Sequence, residues 1–255
     1  MKKFLAVVAI AMTTTALGET RKVIQNFYLA SENKWAIEGR YSSENGNEEF
    51  TNGQEVDVDT KTLSGKVFKG QWGKVLNLGG EVNMIDAEGD ADGIGDLEFF
   101  ARGRLETYLY EFRYFFSHDD KETDNAVSGG NHFWLKAGVF KNGWGFLGTF
   151  QPEYDADVAD SDDVNVGQQT IIEGFYEHLT AEDNTLAIAL GSHHYNRGDL
   201  DDDDITEAFW RLYGTFPFGG YDWIGEFKQT SLYNDSDEVE DRKRSEVSFA
   251  VRTSF

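Results

Sequence analysis

The chain has 255 residues and no cysteine, and its 46 acidic and 23 basic side chains give a formal net charge of −23. Without cysteine no disulfide staples the fold, and so acidic a surface excludes nucleic acid as a partner. The mean hydropathy of −0.51 excludes nothing, because a membrane protein built from strands shows lipid only every second residue.

Lys2 and Lys3 precede an apolar run from Phe4 to Met12, and Ala16-Leu17-Gly18 offers a small-residue cleavage site before Glu19. This is the three-part pattern of a secretory signal peptide, residues 1–18, too short to persist as a spanning helix. No other apolar stretch is long enough to cross a bilayer as a helix. Residues 19–33 are expected to form a periplasmic N-terminal segment ahead of the folded domain at 34–255.

From residue 34 the sequence breaks into about twelve period-2 segments: 34–42, 60–72, 74–86, 95–104, 106–117, 131–142, 144–155, 167–178, 184–195, 206–217, 220–233 and 243–255. Most exceed the about 5–6 residues of a globular strand and match the about 9–11 that a tilted strand needs to cross hydrocarbon. Leu97, Phe99 and Ala101 interleave with Glu98 and Arg102, and Ala208, Trp210 and Leu212 with Glu207 and Arg211. Trp35, Tyr41, Tyr108, Trp144, Tyr176 and Trp223 fall near the ends of apolar faces. Connections alternate short and long. The short ones include Asn142-Gly143, a strong two-residue hairpin signal. The long ones are 43–59, 86–94, 117–131, 155–167, 196–205 and 233–243.

The last segment sets Val247, Phe249 and Val251 against Glu246, Ser248 and Arg252 and ends on Phe255. It resembles the C-terminal signature strand of Gram-negative outer-membrane β-barrel proteins, with one departure at Thr253, where that family carries Tyr or another bulky apolar residue. The resemblance implies that Val247, Phe249, Val251 and Phe255 form the membrane-insertion signature. It also implies as partners outer-membrane lipid, periplasmic chaperones and the barrel-assembly machinery. The expected fold is all-β, a transmembrane antiparallel up-and-down β-barrel of about 12 strands in the cell outer membrane, or of 14 if residues 20–30 or 43–59 add strands. A soluble β-sandwich or a propeller also alternates. Strand length and the short/long asymmetry stand against both.

Acid is unevenly spread. The six long loops hold 29 acidic and four basic residues, while the rest of the chain after residue 18 balances 17 against 17. Asp157, Asp162, Asp163 and Asp201, Asp202, Asp203, Asp204 would form an acidic mouth that gathers cations and repels anions. Glu88-Gly-Asp-Ala-Asp-Gly93 resembles the start of a calcium loop, but Phe99 stands where the bidentate Glu should be. No metal site and no cofactor are therefore expected.

Placing charged faces inward lines the interior with Arg40, Glu81, Glu98, Arg102, Arg104, Glu111, Arg113, Lys136, Glu173, Arg211, Glu226 and Arg252. These charges either pair and fill the bore or flank an aqueous path. The arginine rows and chain length resemble the small monomeric porins of the oligogalacturonate-specific type, also twelve-stranded. The resemblance implies a monomer admitting small hydrophilic solutes by passive diffusion; the acidic loops, read by themselves, would add a preference for cations at low salt and argue against an anionic sugar. The alternative is a non-conducting structural or adhesion barrel whose loops bind cations or surfaces. An enzyme is not expected. Ser192 and His194 share an outward face, but in reversed order from outer-membrane phospholipases, and no third, orienting group is evident.

Overall fold

A strand with one face in lipid can leave no backbone donor or acceptor free, so its ladder must close on itself. The computed structural model describes residues 27–50, 53, 55–72, 75–87, 93–116, 127–128, 130–158, 164–180, 184–196, 204–232 and 239–255, and twelve antiparallel strands form a closed barrel. They are β1 (Trp35–Phe50), β2 (Glu55–Gly70), β3 (Asn77–Ala87), β4 (Gly93–Leu105), β5 (Tyr108–Phe116) and β6 (His132–Lys141), followed by β7 (Trp144–Gln151), β8 (Gln169–Leu179), β9 (Thr185–Asn196), β10 (Asp204–Phe218), β11 (Tyr221–Leu232) and β12 (Val239–Ser254). Each pairs with its sequence neighbours, and β1 closes on β12 with Glu38 opposite Arg252 and Tyr41 opposite Phe249. Trp35 and Phe255 complete that seam by exchanging backbone hydrogen bonds of 2.9 and 3.0 Å.

Turn chemistry sets one end of the barrel. Asn142 and Gly143 take φ of 54° and 85°, and Gly219 and Gly220 take 65° and 84°, the paired positive values of a type I′ hairpin. The outward face carries exposed Ile37, Leu63, Met84, Phe99, Leu190 and Phe249, as a lipid-facing surface requires. Trp35, Tyr108, Trp144 and Trp223 stand exposed toward the short-turn rim, and Lys69 Nζ lies 5.5 Å from the Trp35 ring centroid.

At the other end the expected loops are shorter than the sequence suggested. Residues 43–59 are neither a long loop nor extra strands: β1 and β2 extend through them and leave only 51–54 as the connection. The reason is physical. Beyond Tyr41 on β1 and Leu63 on β2 the outward positions turn polar, Ser43, Asn45 and Asn47 against Lys61, Asp59 and Asp57, so the hydrophobic period vanishes while the backbone ladder continues. β10 and β12 likewise begin at Asp204 and Val239, ahead of their expected starts at 206 and 243. Parts of two expected loops pair with each other: Val127–Ser128, Tyr154–Val158 and Val164–Val166 form a three-stranded sheet. It is tied to the barrel by His132, whose ring stacks between Phe115 at 4.3 Å and Tyr154 at 4.4 Å.

The segment ahead of β1 is not held outside the barrel. Phe27 and Leu29 are buried in one cluster with Leu109, Phe140, Leu147, Phe175, Ala187 and Tyr213, inward-facing residues of β5 to β10. Ala30 is buried with Ala36, Phe68 and Phe100 of β1, β2 and β4, and Tyr28 packs on them. An apolar four-residue run cannot stay in water at low cost when an apolar floor is in reach. Residues 27–30 therefore cross the bore at its short-turn end.

Candidate functional site

The interior is the candidate site, and the alternation of each strand builds it. All twelve residues expected to line it lie on inward faces, interleaved with the exposed outward residues named above. Arg104 stands apart from the ion pairs, near the short-turn rim, where Nε donates to the Glu106 carbonyl and the guanidinium lies 5.8 Å from the Phe140 ring centroid.

Hairpin register gathers the rest into clusters along the wall. On one side Arg113 of β5 meets three carboxylates: Glu81 at 3.1 Å, Glu111 at 3.1 Å and Glu98 in direct contact. Lys66 Nζ adds a second cation 3.0 Å from Glu81. Arg102 sits 3.8 Å from Glu111, with its guanidinium 4.6 and 4.8 Å from the Phe68 and Phe100 ring centroids. On the opposite side Arg211 of β10 binds Glu173 at 2.7 Å and Glu226 at 3.2 Å. Arg40 reaches Glu226 at 3.6 Å and Glu38 at 3.4 Å, and Arg252 reaches Asp222 at 3.0 Å and Glu38 at 3.6 Å. Buried charges need such partners, because an isolated one costs several kcal/mol or more.

Between these walls, in the half of the barrel away from the short turns, lies a cavity of about 240 Å³. Trp134, Lys136, Glu173, Phe209, Arg211 and Lys228 are among the residues lining it. Lys136 and Lys228 differ from the paired arginines: no described carboxylate lies within ion-pair distance of either ammonium, although Glu111 and Glu246 stand opposite them in the ladders. The Lys228 Nζ lies 5.2 Å from the Phe209 ring centroid.

Above the cavity the extended strands carry a further ion-pair set, of which Glu44, Glu48 and Arg242 fall in the expected loops. Arg242 contacts Glu48 and binds Glu207 at 3.0 Å, and Arg244 reaches Glu44 at 3.5 Å and Glu48 at 3.4 Å. His193 points inward, with Nε2 3.0 Å from Gln169 Oε1 and Nδ1 3.7 Å from Glu207. Ser192 and His194 face outward together, and His194 Nδ1 is hydrogen-bonded to Thr206 Oγ1 at 2.9 Å.

Of the acidic mouth, Asp204 opens β10 and accepts a 2.9 Å hydrogen bond from Asn196 Nδ2, and Asp157 pairs with Ser128 in the small loop sheet. Asp162, Asp163, Asp201, Asp202 and Asp203 lie outside the described residues, as do 88–92 of the calcium-like stretch. Val247, Phe249 and Phe255 are exposed and Val251 shares the same outward face, opposite the inward Ser248 and Arg252.

What sequence reasoning missed is the segment at the inner end. Its backbone is fixed as well as its side chains: Ala30 N donates to Asn77 Oδ1 at 2.7 Å, and the Arg252 guanidinium lies 3.5 Å from the Tyr28 ring centroid. A signal existed in the apolar run Phe27-Tyr-Leu-Ala30, which has no covering partner within its own stretch of sequence.

No protein-family model and no curated protein matches the sequence. Solved structures do match. The COG4313 outer membrane channel from Pseudomonas putida F1 is similar at a TM-score of 0.64 and 14% identity, over 92% of this chain and 100% of that one. The translocator domain of the autotransporter NalP from Neisseria meningitidis is similar at 0.55 and 12%, over 100% of this chain and 94% of that one. The fold is that of an outer-membrane β-barrel. The NanC porin also superposes, at a TM-score of 0.49 and 11% identity over 84% of this chain and 98% of that one. A channel and a translocator domain share this architecture, so the outer-membrane barrel fold leaves function to the chemistry of its bore.

Proposed function

We propose that the protein, exported by its signal peptide, is a monomeric outer-membrane channel through which small hydrophilic solutes diffuse passively. The observation that carries this reading is the charged, partly open interior. A barrel that serves only as a scaffold gains most by filling its bore with apolar side chains or closed ion pairs. Here a cavity of about 240 Å³ persists, and Lys136 and Lys228 project into it without an ion pair to any described carboxylate. Likeness in fold to a barrel described as an outer membrane channel supports the same reading. The acid concentrated in the loop stretches, 29 acidic against four basic residues, favours cations over anions at the mouth when salt is low.

One observation favours the second reading, a non-conducting barrel: residues Phe27 to Ala30 cross the bore at the short-turn end. Single-channel recording of refolded protein in a planar bilayer separates the two, with reversal potentials measured in a salt gradient. Discrete conductance steps with a cation-selective reversal potential at low salt are expected. A folded barrel that never conducts, at any voltage and with its N-terminal segment removed, would refute the channel.

A further inference from the structure

We infer that residues 27–34 are a gate, a strap folded into the short-turn end of the bore that must swing out before the outer cavity connects to that side. This rests on the channel reading above.

The strap is built to turn inward, and apart from a bridge to the last residue of β2 at its base it is held by packing and side-chain contacts with the wall. At its base Asn33 takes a left-handed φ of 59°, and Lys34 N donates to the Ser31 carbonyl at 3.0 Å, a tight turn that reverses the chain just before β1. Asn is among the few residues that tolerate this conformation. Beyond the turn, Asn33 N donates to the Gly70 carbonyl at 2.8 Å, and Glu32 forms a single parallel bridge to Gly70 at the end of β2. Gly70 is required there: a Cβ would lie 2.2 Å from the Ser31 carbonyl oxygen and 2.8 Å from that of Ala30.

The strap then crosses the bore. Ala30 and Tyr28 rest on the β1, β2 and β4 side, and Phe27 and Leu29 rest on β5 to β10. Two arginines already engaged with wall carboxylates cover its rings: Arg252 over Tyr28 at 3.5 Å and Arg102 over Phe27 at 5.8 Å. None of these contacts is needed to close the barrel, whose seam begins at Trp35 against Phe255. Removing the strap therefore takes away an obstruction and leaves the wall complete. The cavity lies on the far side of the strap from the short turns, so a solute entering past the loops reaches Lys136 and Lys228 first and meets the strap as the last barrier.

The test compares the full mature chain with a variant lacking residues 19–31, each refolded, checked for the heat-modifiable folded band and recorded in planar bilayers. A two-state element of this kind leaves its minor state about 0.1–10% populated, so deletion should raise time-averaged conductance about tenfold or more. Gly70→Ala keeps every residue of the strap but denies it its seat, and should raise open probability in the same direction. A synthetic peptide of residues 19–34 should then block the deleted channel from the short-turn side and not from the loop side. A peptide that blocks equally from both sides, or from neither, would count against the strap as a sided gate. Equal conductance of the full and deleted chains would overturn the gate and leave the channel standing. A folded deletion variant that stays silent would overturn the channel reading, and the gate with it.

Discussion

Replacing Arg113 with Met tests how the interior charge is held. Arg113 is the one cation within ion-pair distance of Glu98 among the described residues, and it also binds Glu81 and Glu111 at 3.1 Å each. Without it Glu81 keeps Lys66 at 3.0 Å and Glu111 keeps Arg102 at 3.8 Å, but Glu98 keeps only the 2.8 Å hydrogen bond from Asn83. Glu98 is 7% exposed, so the variant strands a nearly buried carboxylate, a loss of about 3–5 kcal/mol for a broken buried pair. The flexible Met side chain can fill much of the volume, so lost packing adds little. Adding Glu98→Gln removes the stranded charge and should restore most of the stability, with a coupling energy of about 2 kcal/mol between the two sites. Urea unfolding of the barrel in detergent micelles, followed by the fluorescence of its 6 Trp, measures both changes. A loss below about 1 kcal/mol for Arg113→Met, or no recovery in the double variant, would show that water reaches these carboxylates and that the cluster is solvated and not buried.

Three further outcomes are expected. Epitope tags placed in 155–167 should be reached by antibody on intact cells while tags at Asn142-Gly143 should not, and the reverse pattern would invert the barrel. Deleting Phe255 removes both backbone hydrogen bonds to Trp35 at the closing seam, and loss of the heat-modifiable band with degradation of the chain should follow; normal assembly would mean the seam does not depend on its last pair. Changing Asp201 to Asp204 to Asn should weaken cation preference at low salt and leave conductance at 1 M nearly unchanged, since the screening length there is about 3 Å.

Where sequence reasoning succeeded, a local rule carried it. Clean alternation placed β4, β5 and β10 and gave the inward side of Arg102, Arg113 and Arg211. Asn142-Gly143 fixed a hairpin because its two positive φ values need those residue types. Strand ends failed for an equally local reason: outside the hydrocarbon both faces of a strand are polar, so Ser43 to Glu49 read as loop although they pair residue by residue with β2 and β12. Ion-pair partners were not legible either. Arg211 binds Glu173 two strands away, a contact set by the registers of two successive hairpins, so it cannot be read from either strand alone. The strap was hidden most deeply. Phe27 to Ala30 is too short to show a period, and its cover is assembled from residues 36 to 213.

The contrast between six paired arginines and the two cavity lysines carries one last expectation. Arg40, Arg102, Arg113, Arg211, Arg242 and Arg252 each have a carboxylate within 4.0 Å, and their planar forks are held in the wall. Their fields are largely cancelled by their partners, and a passing solute can take little from them. Lys136 and Lys228 are compact point charges on flexible stems, and Lys136 shares its cavity with Lys228. If the barrel conducts, a permeating ion would meet two filters in series, an acidic mouth that screens with salt and a pair of ammonium groups that screens less because low-dielectric walls enclose it. At low salt the mouth should dominate. At 1 M salt, with a screening length of about 3 Å, the lysines dominate and the cation preference should fade or reverse. Lys136→Gln with Lys228→Gln should then keep the low-salt cation preference and extend it into high salt, as read from reversal potentials. If the double variant matches wild type at every salt concentration, the lysines do not face the conducting path, and the solute route runs elsewhere than through this cavity.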